Sequence, residues 1–192
     1  MPANPERRAL IADTAIAILA EEGAGGLTHR TVDARAQLPP GTTSNFYRTR
    51  TALLQAAAER AAALHWEFVE RIRASAPSPQ GRAGLAEFLV RLVAAVDDET
   101  ATRNLARMEL FLEGKRQPDL RPALEDIYEA AMQAAEVIVR SAGIPAESTR
   151  VRMLARILNG LVFDQLTLPD KVLSEAELTD LLNRLLDLVF DN

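Results

Sequence analysis

The chain has 192 residues, 48% of them hydrophobic, a net charge of −5 and no cysteine. Its length allows one or two compact units with a real core, and the missing thiols exclude disulfides, cysteine–zinc sites and thiol catalysis. No run of roughly eighteen or more apolar residues suggests a transmembrane helix, and the acidic balance excludes a binder that holds nucleic acid by overall basic charge.

The start, MPANPERR, leads directly into an amphipathic helix with no signal-peptide pattern, so a soluble cytoplasmic protein is expected. Asn4-Pro5-Glu6 reads as an N-cap, a first-turn proline and an acid at the positive end of a helix. Leu10, Ile11, Thr14, Ala15, Ile18 and Leu19 keep helical spacing until Gly23, and Gly25-Gly26 extend the loop. This helix is expected to brace the next segment.

That segment, Leu27 to Leu54, holds two short helical patterns with a tight break between them. Thr28 is a good N-cap for the first, in which Val32 and Ala36 share a face. Gln37-Leu38-Pro39 forms the break, and Pro40 suits the first turn of the second helix. The second pattern, Gly41 to Tyr47, has a small hydrogen-bonding side and an inward aromatic end, Phe46-Tyr47. Helix, short turn, helix is the outline of a DNA reader, although an ordinary helical hairpin with a polar surface has the same spacing. Between residues 28 and 50 stand four arginines against Asp33 alone, a local patch of the kind phosphate binding needs.

Thr51 is placed to cap the following helix, which is expected from Ala52 to about Ala74, stopping before Pro77 and Pro79. Its alanine-rich first half allows close packing. Ser75 to Gly84 is a loop. Leu85, Phe88, Leu89, Leu92, Val93 and Val96 make one apolar face; Ala101, Leu105, Met108 and Phe111-Leu112 make another, ending at Gly114. Leu120 to Ala142 is a long helix ended by Gly143 and Pro145. No strand-type alternation or repeat is present, so the chain is expected to be all-α: a three-helix N-terminal domain and a C-terminal helical bundle.

The last two helices are apolar over wide faces. From Ser148 to Leu168 there are two rows, Val151, Leu154, Leu158, Val162 and Met153, Ile157, Leu161, Leu168. Ser174 with Glu177 spells a capping box before Leu178 to Phe190. Surface this wide exceeds what one core contact needs. A two-fold dimer, each subunit giving two helices to a four-helix bundle, is therefore expected, with Leu154, Ile157, Leu158, Leu161, Leu181 and Leu185 at the interface. Two merely central helices are the other reading.

Leu27-Thr28 through Ala36, then Leu38, Gly41-Thr42-Thr43, Phe46-Tyr47, Arg50 and Leu53-Leu54 resemble the N-terminal domain of the tetracycline-repressor (TetR) family, over about the first quarter of the chain. Gln37 departs from the family's usual turn glycine; a left-handed non-glycine residue there costs about 1–2 kcal/mol. Pro39 replaces a serine cap, and Ser44 replaces a commoner tyrosine and its phosphate contact. The resemblance implies a helix-turn-helix domain over 1–50, an effector-binding and dimerisation domain over 51–192, and a homodimeric repressor of a palindromic operator released by a small molecule. Thr28 and its helix amides suit a phosphate, with His29 and Arg30 beside them. Thr42, Thr43 and Asn45 are the candidate base readers, with Pro40 near a thymine methyl. Tyr47 and Arg50 resemble the family's backbone-contacting positions, although Tyr47 fits core packing equally well.

The effector pocket that the resemblance implies has candidate walls in Trp66, Met108, Phe111, Tyr128, Met132 and Phe163, with Asn104 among the polar groups. Each of the bulky residues also fits plain core. Leucine-rich surroundings suggest a hydrophobic or aromatic effector. Glu109, set among apolar neighbours, suits a buried ion pair with an arginine better than a ligand contact. An enzyme is not expected: only His29 and His65 are present, neither in a Glu-x-x-His pair, and no phosphate loop, nucleophile elbow or zinc motif occurs. No metal or cofactor is expected. The alternative function is a helical small-molecule-binding or adaptor protein without sequence-specific DNA binding.

Overall fold

The computed structural model describes residues 4–75, 78–94 and 97–190. Val96, placed on an apolar face above, and Pro77 lie outside the described residues. The helices are α1 (Pro5–Gly26), α2 (His29–Arg35), α3 (Thr42–Phe46), α4 (Arg50–Ser75), α5 (Gly81–Ala94), α6 (Asp98–Arg116), α7 (Arg121–Ser141), α8 (Ser148–Thr167) and α9 (Glu175–Phe190). Two single 3-10 turns, Pro118–Leu120 and Pro169–Lys171, complete the order, and no strand occurs among the described residues. None of the helices is long and apolar enough to cross a membrane among those residues.

The chain packs as two compact units, Met1–His65 with Asp98–Tyr128, and Trp66–Asp97 with Glu129–Asn192. In the first, the Asn4 side chain accepts from Arg7 N–H at 3.0 Å and starts α1. Ile11, Ala15, Ile18 and Leu19 then turn one fully buried stripe toward α6, where Ala106 and Leu110 are equally buried. Gly23 breaks the regular helix at a φ of 69°, a left-handed backbone that favours glycine, and one further turn follows to Gly26. The kink is held from α6: Glu109 Oε2 accepts the Ala24 N–H at 3.1 Å. Glu109 is therefore structural, as expected, but its partner is a backbone amide and not an arginine. Ala57, Ala58 and Ala61 bring α4 close to this core.

Packing thus does not stop at residue 50. α6 lies along α1, so residues 51–65 and 98–128 share the core of the predicted reading helices. Two helix boundaries also move. Thr49 caps α4, its Oγ1 accepting Ala52 N–H at 3.0 Å, while Thr51 bonds Gln117 instead. Gly114 does not stop α6, which runs to Arg116. Gly114 instead makes room for Leu124: a Cβ there would lie 2.1 Å from its Cδ1.

The second unit is built around α5, α8 and α9. Leu85, Leu89 and Val93 meet Val151, Leu154 and Leu158 from α8 and Leu178, Leu182, Leu186 and Val189 from α9. Gly143, at a φ of 73°, ends α7, and Gly81 N–H caps the nearby Ala142 carbonyl at 2.8 Å. The predicted capping box is present: Ser174 N–H and Oγ–H donate to Glu177 Oε2, and Ser174 Oγ accepts from Glu177 N–H.

Candidate nucleic-acid interface

α2 begins with a reciprocal cap. Thr28 Oγ1 accepts Thr31 N–H at 3.1 Å, and Thr31 Oγ1 accepts Thr28 N–H at 2.9 Å. His29 Nε2–H donates to the Tyr47 carbonyl at 2.6 Å, tying the start of α2 to the end of α3. Between the helices, Gln37 has a φ of 53°, the left-handed conformation anticipated for the turn and the one positive φ of a non-glycine residue among the described residues. Gly41 follows at a φ of 85°. Because the chain is left-handed at Gly41, α3 starts at Thr42, and Pro40 lies before the helix and not in its first turn.

Pro39 cannot cap α3, and the cap comes from α2. The Asp33 carboxylate accepts Gly41 N–H at 2.7 Å through Oδ2, and Thr43 N–H at 2.8 Å and Thr43 Oγ–H at 2.6 Å through Oδ1. Asp33 is 4% exposed and Thr43 0%. Burial pushes the Asp33 carboxyl up; the Thr43 and Gly41 donors and the nearby His29 outweigh it and hold the group below its ordinary value. This acid was legible only as the one negative charge in a basic segment. Its position one residue after the inward Val32, ahead of a helix without a local cap, is the signal that points to it.

The predicted DNA-contacting residues divide by exposure. Thr28, Arg30, Pro40 and Asn45 are exposed, and His29, Thr42 and Tyr47 half-buried. Thr43 is a correction: its hydroxyl is buried against Asp33, because the helical turn points it inward between α2 and α3. Arg50 is a second correction. Its guanidinium donates to the carbonyls of Ala24 (2.5 Å) and Leu27 (3.4 Å) and pairs with Glu113 at 2.8 Å, so its donors anchor the reader and do not face outward. Tyr47 packs on the first core and under Arg8, whose guanidinium carbon is 5.0 Å from the ring centre. Of the four arginines, Arg35 is matched by Glu21 and Glu22; Arg30 and Arg48 stand exposed. A cleft of about 290 Å³ is lined by His29, Arg30, Asp33, Ala34, Leu38, Pro40 and Gly41.

The predicted effector residues fall in both units. Asn104, Met108, Phe111 and Tyr128 belong to the first unit, and Trp66, Met132 and Phe163 to the second. Trp66, Asn104, Met108 and Tyr128 are half-buried. Phe111 and Phe163 are 40% and 46% exposed, and Met132 is fully buried, so these three do not wall an enclosed space within their units. A groove of about 400 Å³ in the first unit is lined by Asp13, Ile16, Arg60, Leu64, Asp98, Glu99, Thr102 and Arg103, none of them predicted.

The predicted interface residues also separate by phase. Leu154, Leu158 and Leu185 are buried in the second unit's own core, a correction, because they point toward α5 and the α8–α9 contact. Ile157 and Leu181 are exposed and Leu161 half-buried. Met153 and Leu188, at 42% and 66% exposure, extend the same outward faces of α8 and α9.

Comparison with known proteins agrees with this architecture. The tetracyclin repressor-like C-terminal domain matches residues 80–188. The multidrug binding protein EbrR complexed with imidazole is 31% identical, with a TM-score of 0.66 over 95% of this chain and 96% of that one. The same protein complexed with ethidium aligns at 29% identity and a TM-score of 0.69, over 93% and 98%. A member of the TetR family from Streptomyces coelicolor A3 is 30% identical, with a TM-score of 0.70 over 94% and 98%. No curated protein matches the chain.

Proposed function

From the premise that this chain belongs to the TetR family of transcriptional regulators, we propose that it is a homodimeric repressor that binds a near-palindromic operator and is released by a small hydrophobic or aromatic effector. The observation that carries this reading is the pre-organised reader. An intramolecular carboxylate, a reciprocal threonine cap and an α3-to-α2 hydrogen bond fix α3, while Thr42, Asn45 and Pro40 remain at its accessible side. Order held without DNA lowers the cost of reading it.

In this reading Asn45 and Thr42 contact base edges, Asn toward adenine and Thr toward a thymine methyl or a polar edge. Thr28 and Arg30 meet phosphate at the N-terminus of α2. Two readers on a two-fold dimer address half-sites one turn of B-DNA apart, about 34–36 Å. The outward apolar residues of α8 and α9, Ile157, Leu181 and Leu188 among them, support the dimer, since they leave apolar surface for a partner to cover. EbrR's complexes with ethidium and imidazole support a small-molecule effector. α4 contributes residues to both units, which makes it the route by which effector binding biases the spacing of the readers.

The test is selection of bound DNA from a random pool, followed by binding to the selected site in a salt series. A near-palindrome whose affinity falls steeply with salt is expected. Asn45→Ala should weaken that site more than random DNA. Flat, negligible binding to any DNA would instead favour a ligand-binding adaptor.

A further inference from the structure

The arginines around the reading helix fall into two groups. Arg35, Arg50 and Arg60 are each held by an acid, Glu21, Glu113 and Asp13 in turn. Arg8, Arg30 and Arg48 are exposed and make no ion pair among the described residues. These three stand around Tyr47, where α3 ends. The Arg8 guanidinium carbon, from α1, lies 5.0 Å from the Tyr47 ring centre and 5.9 Å from that of Phe46. The bond from His29 to the Tyr47 carbonyl brings the start of α2, and Arg30 with it, to the same end of α3. Arg48 follows Tyr47 in the chain. Burial is the main influence on the Tyr47 phenol and pushes its pKa up; Arg8 opposes that, and Glu59 of α4 adds to it without pairing with Arg8. Packing against the two rings fixes Arg8 in place without neutralising it, because an aromatic face carries no net charge. A guanidinium held in this way keeps its field for an incoming anion.

We propose that Arg8, Arg30 and Arg48 form a phosphate clamp at the C-terminal end of α3, and that Arg8, which lies outside the helix-turn-helix segment, is itself a DNA contact. The partner is the sugar-phosphate backbone of the operator strand that borders the major groove. A helix about 10–12 Å across fills a groove about 12 Å wide, so cations around the end of the helix meet the edge of the groove and not the base edges. Phe46 and Tyr47 serve as the platform that aims Arg8. Contacts of this kind fix register and add affinity without reading sequence. The inference rests on α3 being a DNA reader, and it extends the interface to α1.

The test is the salt dependence of DNA binding by the full-length protein, on the selected operator and on random duplex of the same length. Each lost phosphate contact lowers the slope of log affinity against log salt by about 0.9 in magnitude, hence by about 1.8 for the two copies in a dimer. Arg8→Gln and Arg48→Gln should each lose that much slope and weaken operator and random DNA by the same factor, to within about twofold. Arg8→Lys should keep most of the slope, because an ammonium still holds phosphate. Arg8→Met keeps contact with the rings but loses the charge, so it should behave like Arg8→Gln and carries the comparison if that variant fails to fold. Arg35→Gln removes the same charge from a side chain already matched by Glu21, and should leave the slope unchanged. An intact slope in the Arg8 variants that lack the charge, an equal fall in Arg35→Gln, or a loss confined to the operator would overturn the proposal. An unaltered protein that binds no DNA would remove the reader and the clamp together; a steep slope that loss of the Arg8 charge leaves untouched would remove the clamp alone.

Discussion

Asp33 shows how much one side chain carries at the residue scale. It satisfies two backbone donors and one hydroxyl that no other group near α3 meets, and leaving buried donors unmet costs about 1–3 kcal/mol. Asp33→Ala should lower the unfolding free energy by about 2 kcal/mol or more and reduce operator affinity, read by thermal melting and a binding titration. Gln37→Gly should do the opposite, raising stability by about 1 kcal/mol, because the left-handed turn strains a side-chain-bearing residue. His65 predicts an acid limb. Its folded pKa of about 4 lies below the ordinary 6.5, so the unfolded chain binds the proton first. The stability is intact above the unfolded value and is lost as pH falls from 6.5 toward 4, by up to about 1.4 kcal/mol per unit. His65→Phe should lack that limb in urea titrations across the window.

At the scale of elements, the two rows of α8 were legible as rows but not as inside and outside. Leu154 is 1% exposed and belongs to the core of its own unit, whereas Ile157 and Leu181 face outward. Leu154→Ala should therefore destabilise folding by about 2–5 kcal/mol. Ile157→Glu with Leu181→Glu should leave each chain folded and raise the dimer dissociation constant by orders of magnitude, which sedimentation across a dilution series would read. α6 shows the same division. Its helical period was clear from residues 101–112, but that Glu109 would grip the α1 kink and Glu113 would pair with Arg50 depended on which helix lay opposite.

For the whole molecule, regulation requires that effector and operator bind different states of one equilibrium. Linkage makes the coupling reciprocal: if a saturating effector weakens operator binding by some factor, operator must weaken effector binding by the same factor. Calorimetric titration of effector with and without saturating operator should return that same finite factor; complete exclusion of each ligand by the other would mean that release works by direct competition at the DNA face.

The local chemistry of the chain determined a great deal by itself. Helical spacing, Asn4, Thr28 and the Ser174–Glu177 box set where helices form, because these interactions join residues a few positions apart. The break between α2 and α3 at Gln37-Leu38-Pro39 was likewise readable, while the left-handed backbone of Gln37 was suggested only by the family resemblance. Tertiary structure alone decided what required a partner distant in the chain: that Asp33 and not Pro39 caps α3, that Thr43 and Arg50 face inward, and that Arg103 is buried in the first unit. A sequence pattern defines a face of a helix; only the packed neighbour determines whether that face meets protein, ligand or water.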